Sequence, residues 1–240
     1  ELTKKTLLAG KHVFVEKPIT NNVKQAQELV KLAAKKKLVL FVGHIFSYHP
    51  ILTKIKQLTR KEPIKHAAFV WNKLGTFNED LIFNLVSHDV AMALDLFGSS
   101  STTLPDGKVV LDKPIIIKTL ENRGIVTDSD IIYVRLNFPP EANQHLTGKN
   151  HRSCTIYINR TSNFKNKTVT VATDKNVYLW ENEQLLKLDE KTNAFELIYK
   201  STKTPLEIEC TEFIKCITQN KKPHTGGEFG LEVVKILVKI

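Results

Sequence analysis

The stretch Ala9-Gly10-Lys11-His12-Val13-Phe14-Val15-Glu16-Lys17-Pro18 decides the fold. Gly10 ends a short helix that begins at Leu2, because glycine reaches the left-handed C-cap conformation without steric cost. The β-branched and aromatic run His12 to Val15 reads as a strand. It stops at Glu16-Lys17-Pro18, where proline fixes its own φ and holds the preceding lysine extended. Asn21 or Asn22 can then cap a helix. Its apolar residues Val23, Ala26, Leu29, Val30, Ala33 and Ala34 share one face, while Lys24, Glu28 and Lys31 point to water. Leu38 to Val42 follows as a continuous apolar strand, the pattern of a parallel sheet covered on both sides. Helix then strand, twice over, is the back half of a doubly wound sheet.

After Gly43 the texture changes. Ile51 to Leu58 and Asn84 to Phe97 read as helices, the second closed by Gly98, and Ile64 to Trp71 as a strand. From Val109 to Tyr199 short strands dominate: Val109–Leu111, Ile115–Ile117, Ile131–Phe138, Cys154–Arg160, Thr168–Thr173, Val177–Trp180 and Glu196–Ile198. Asp106-Gly107, Pro139-Pro140 and Asp174-Lys175-Asn176 separate some of them as turns, so an antiparallel sheet is expected. Helices Leu206–Thr218 and Phe229–Ile240 finish the chain. The expected boundary gives two domains, 1–45 and 46–240, the last helices packing back on the first.

Of the 240 residues, 42% are hydrophobic and 25% charged, the balance of an ordinary globular chain. No apolar run approaches the ~20 residues of a bilayer-spanning helix, and no secretory signal precedes the first motif. Cys154, Cys210 and Cys216 are too few for a disulfide scaffold and form no C-x-x-C pair, which fits reduced thiols in a cytoplasmic protein. The net charge of +10 is uneven: residues 1–66 hold fourteen Lys/Arg against four Asp/Glu. Without a nucleic-acid motif or interleaved aromatics, the charge suits a solvated helix face or a phosphorylated small molecule better than nucleic acid.

Two clusters can carry chemistry. Lys17 stands at the C-terminal end of a parallel strand, where open α/β sheets bind ligands, and a rigid ammonium there can ease removal of a hydroxyl proton. On the second helix, Asn84 and His88 lie one turn apart on one face, with Asp95 two turns further along. Histidine is the side chain best suited to passing a proton near neutrality; asparagine can orient a hydroxyl but not deprotonate it. Asp89 points elsewhere. His44, His49, His66 and His88 lack metal-ligand spacing. No G-x-S-x-G elbow and no G-x-G-x-x-G phosphate loop occurs.

The ten-residue stretch resembles the A-G-K-H-V-x-x-E-K-P segment of the glucose–fructose oxidoreductase / inositol dehydrogenase / rhizopine catabolism (Gfo/Idh/MocA) family. The likeness continues through Val42-Gly43-His44, Tyr48-His49-Pro50, Leu74-Gly75, Ser87-His88-Asp89 and Pro223-His224-Thr225. It implies an α/β Rossmann-type partial domain followed by an α+β domain with a large, open, mostly antiparallel sheet. It implies NAD or NADP as cofactor, with Glu16, Lys17 and Pro18 beside the nicotinamide ribose, and a sugar, sugar-nucleotide or polyol substrate oxidised at CH–OH. Lys17 and His88 would handle the hydroxyl proton beside Asn84; Tyr48, Asn72 and His88 would contact substrate. A homo-oligomer through the sheet, with no nucleic acid, membrane or metal, is implied as well.

Two departures stand out. Asn84 takes a position where many relatives carry Asp, and Ser47 replaces a frequent Arg. The family's glycine-rich turn would lie before residue 1, so the 240 residues alone are not expected to hold NAD(P) tightly or to turn over. The alternative reading is a non-catalytic binding or assembly module.

Overall fold

The computed structural model describes residues 1–75, 77–98, 101–103, 109–111, 115–138 and 152–240. Helix α1 (Leu2–Leu8), strand β1 (Val13–Glu16), helix α2 (Val23–Lys36) and strand β2 (Leu40–Gly43) form the first unit. Strands β1 and β2 pair in parallel, Glu16 opposite Gly43, so their C-terminal ends open on the same edge. Asn22 caps α2 by accepting from the Gln25 N–H, as its side chain predicts. Leu7, Val13, Ala26, Leu29, Ala33, Leu40 and Val42 form the core here.

A 3₁₀ turn (Ile45–Tyr48) and α3 (Pro50–Leu58) lead to β3 (Ile64–Asn72). A π-helical turn (Ile82–Val86) runs directly into α4 (Ser87–Phe97), which ends at Gly98 with φ +81°. Strands β4 (Ser101–Thr103) and β5 (Val109–Leu111) make a separate antiparallel pair. The others are β6 (Ile116–Arg123), β7 (Ile131–Phe138), β8 (Arg152–Asn159), β9 (Asn166–Thr173), β10 (Val177–Glu181), β11 (Gln184–Asp189) and β12 (Ala194–Lys200). Together with β3 they form one eight-stranded sheet, ordered β12-β11-β10-β9-β3-β8-β7-β6.

The large open sheet matches expectation, with three differences. Its centre is parallel: β3 runs with β8, Asn72 opposite Asn159, since the long excursion through α4 returns the chain in the same direction. Strand β11 was not expected, because Gln184-Leu185-Leu186-Lys187-Leu188 mixes apolar and polar residues without clean alternation. The helix expected from Asn84 begins instead as a π turn at Ile82. The expected turns Asp106-Gly107 and Pro139-Pro140 lie outside the described residues.

Helices α5 (Pro205–Thr218) and α6 (Gly227–Leu237) close the chain. Gly227 and Gly230 let α6 lie tight on the first unit, since a Cβ would come within 2.8 Å of Leu40 at Gly227 and 3.0 Å of Val42 at Gly230. Val234 joins the first core, while Val233, Ile236 and Leu237 join the larger core beneath the sheet. No helix among the described residues is long and apolar enough to cross a membrane.

Candidate active site

Lys17 follows β1 through a cis peptide to Pro18, and its half-buried side chain reaches α4's entry. Its Nζ donates to the Asn84 carbonyl at 2.5 Å and to Asn84 Oδ1 at 3.1 Å. Burial lowers the Lys17 pKa to about 8, against the pull of Glu16 and Glu79 and with a push from Lys167. The π turn is what presents Asn84: Asp80 accepts from the Ile82 and Phe83 N–H groups, fixing the turn's start. Short π segments inside helices are frequent at functional sites.

The carboxylate that Asn84 lacks is supplied at one remove. Asn84 Nδ2 donates to Glu79, which turns Oδ1 toward Lys17. The Glu79 loop is in turn held by Arg160, whose guanidinium donates to the Glu79 carbonyl at 2.6 Å and pairs with buried Asp130 at 2.8 Å. An Asn84→Asp substitution places a charge directly on Lys17 and repels Glu79. The expected result is a higher Lys17 pKa, read by titrating its ¹⁵N-labelled ammonium.

His88 sits one turn further on, its ring 5.1 Å from Phe46 and 6.0 Å from Trp71 between centroids. Burial, with Lys17, Lys167 and His44 adding to it, holds its pKa well below the ordinary imidazole value. It is therefore neutral at pH 7 and able to accept a proton. Its Nδ1 is buried without a hydrogen-bond partner among the described residues. His44, just past β2, is buried with both ring nitrogens unpartnered among the described residues, and burial lowers its pKa to about 3.

Lys17, Asn84 and His88 are thus gathered around one strand-end edge, with Lys17 felt electrostatically at His88. Glu16 is exposed at that edge, opposite Gly43, and Pro18 lines a cleft of about 370 Å³ with Lys17, Glu79, Asp80, Phe83 and Asn84. Tyr48 is committed elsewhere: it is buried, stacks on Phe41, and shares a 2.9 Å hydrogen bond with Thr225. Asn72 donates to Asn166 at 2.8 Å; the neighbour that reaches His88 is Trp71. Asp95, expected on the His88 face, pairs with His224 at 2.5 Å and Lys56 at 3.4 Å. Among the described residues no cluster of His, Cys, Asp and Glu could hold a metal.

Sequence reasoning missed Phe46, Glu79 and Lys167. Lys167 had a signal: it shares strand parity with buried Val169 and Val171, so a lysine stands where alternation calls for an apolar residue.

A parallel strand edge carrying a lysine, beside a buried neutral histidine and backed by a large sheet, gathers polar groups where doubly wound α/β units bind ligands. Residues 1–44 match the model of the oxidoreductase family with NAD-binding Rossmann fold, GFO_IDH_MocA. That match covers the first unit of the chain and carries its likeness to these oxidoreductases. The chain is 31% identical over 93 residues to UDP-N-acetylglucosamine 3-dehydrogenase of Acidithiobacillus ferrooxidans, covering 38% of this chain and 30% of that protein. It is 38% identical over 56 residues to dTDP-3,4-didehydro-2,6-dideoxy-alpha-D-glucose 3-reductase of Streptomyces violaceoruber, covering 23% and 16%. The solved structure of the Acidithiobacillus ferrooxidans enzyme, GnnA, superposes with a TM-score of 0.82 at 17% identity, over 100% of this chain and 72% of that one.

Proposed function

We propose that the protein is an NAD(P)-dependent oxidoreductase acting on a CH–OH group of a sugar nucleotide. The carrying observation is the placement of the Lys17 ammonium on Asn84, beside a neutral His88, at the shared end of β1 and β2. The matched relatives, a nucleotide-sugar dehydrogenase and a nucleotide-sugar reductase, favour that substrate class. The basic charge of residues 1–66 suits its diphosphate.

The residues present fit the nicotinamide end of a dinucleotide. Glu16 offers an exposed carboxylate to ribose hydroxyls, Lys17 an ammonium, and His44 two ring nitrogens without partners among the described residues. When bound, the cofactor supplies the hydride acceptor or donor. The chain's own part is the proton. Lys17 hydrogen-bonds the reacting hydroxyl and stabilises the oxygen as it loses its proton; His88 accepts that proton. Asn84 and Glu79 keep the ammonium aimed. Residues 1–45 would form the cofactor unit, and 46–240 the substrate unit and oligomer face.

Nicotinamide absorbance in the complete protein, read against a panel of sugars and nucleotide sugars, tests this. Turnover is expected with a nucleotide sugar. The oxidation rate should fall as pH rises through about 8, where Lys17 loses its charge. His88, already neutral, puts its limb well on the acid side. A protein that folds and binds nucleotide sugar yet turns over none of the panel would be the binding module instead.

A further inference from the structure

Lys167 on β9 faces the core directly across from Trp71 on β3. Its ammonium is shut off from solvent. It lies 3.6 Å from the Phe46 ring centroid and 3.7 Å from that of Trp71, and 3.4 Å from the fully buried Asp89 carboxylate. Phe46 and Trp71 are the same two rings that flank His88, and Asp89 is the next residue along α4.

A buried ion pair is a poor source of stability, since well-packed apolar residues of similar volume usually do as well or better. Stability therefore does not explain this one. Its position does. The pair ties the first turn of α4 to the sheet, and the cation grips both aromatic walls of the histidine's seat. We propose that Lys167 is a positioning residue for His88, fixing the imidazole between Phe46 and Trp71 with a like charge set beside it. This rests on the reading that His88 exchanges the hydroxyl proton.

The charged and titratable groups around His88 come from four elements: Lys17 after β1, His44 after β2, Lys167 on β9, and Asp89 on α4. Burial is the largest influence on His88, and Lys17, Lys167 and His44 all disfavour the imidazolium in the same direction. Asp89 acts on Lys167 rather than on His88.

Imidazole NMR of ¹⁵N-histidine-labelled protein, with no cofactor or substrate added, tests the proposal. In the double variant Lys167→Met with Asp89→Asn, both charges go at nearly constant volume, and the His88 titration is expected to move to higher pH. In Asp89→Asn alone the ammonium loses the carboxylate that favours its charge, Lys167 shifts toward its neutral form, and the His88 titration should again move to higher pH. Lys167→Arg keeps the charge and should leave it near the wild-type position. A role in packing alone predicts no shift in any of the three, and an unmoved titration in either folded Asp89 variant overturns the proposal. The reading of His88 as proton acceptor has its own test: unchanged turnover in His88→Gln would remove it without altering the titration result.

Discussion

Lys17→Ala is expected to lower kcat for alcohol oxidation by about 10²- to 10³-fold, the range for loss of one positioned oxyanion donor, while leaving the protein folded. The two halves of that expectation come from the same geometry. The ammonium is the only cation hydrogen-bonded to Asn84 among the described residues, by 2.5 and 3.1 Å contacts, so its loss empties the position proposed to face the reacting hydroxyl. Stability should not suffer, because holding this charge is already unfavourable. Burial lowers its pKa from 10.5 to about 8. Below pH 8 the folded state bears the full cost of a desolvated cation. Between 8 and 10.5 the unfolded chain binds more protons, so stability rises with pH across that window. At pH 7 the alanine variant should therefore melt no lower than wild type. Steady-state kinetics with a nucleotide sugar, beside a thermal melt, check both parts; a kcat within threefold of wild type removes Lys17 from the chemistry.

That lysine was legible in the sequence, and it is instructive why its surroundings were not. Glu16-Lys17-Pro18 announces itself because a proline-restricted strand end is a local property, and local signals survive in a linear string. The alternation of β7 and the amphipathic face of α2 are legible for the same reason. Glu79 is not, since nothing in Asn78-Glu79-Asp80 says that the loop will fold back on Asn84. That depends on Arg160, eighty-one residues away, donating to the Glu79 carbonyl. The π turn was hidden too: helical spacing from Asn84 to His88 survives it well enough to look regular. Tyr48, which the family resemblance implies as a substrate contact, shares its hydroxyl with Thr225 from the far end of the chain. The substrate reading of Asn72 meets a cross-strand partner, Asn166. Long-range pairing, not composition, decides such cases.

The other large effect belongs to the support of the site rather than to the site. Asp130→Ala is expected to destabilise the fold by about 3–5 kcal/mol, the usual cost of stranding one partner of a buried ion pair. Asp130 is 0% exposed and Arg160 2%. One carboxylate oxygen of Asp130 accepts from Arg160 Nε at 2.8 Å, and the other gathers the N–H groups of Ile125, Val126 and Thr127. Alanine removes all of these acceptors at once and leaves the guanidinium desolvated beside a turn whose amides have lost their partner. For a chain of this size the melting temperature should fall by roughly 10 °C. The consequence reaches the chemistry through Arg160, which also holds the Glu79 loop against Asn84. Below the new melting temperature, Lys17 should then titrate at lower pH than in wild type, because a loosened Glu79 no longer favours its charged form. Calorimetry reads the first effect and the basic limb of the rate profile reads the second. A variant that melts lower with an unmoved limb would show that the Asp130–Arg160 pair holds the sheet end without aiming the lysine.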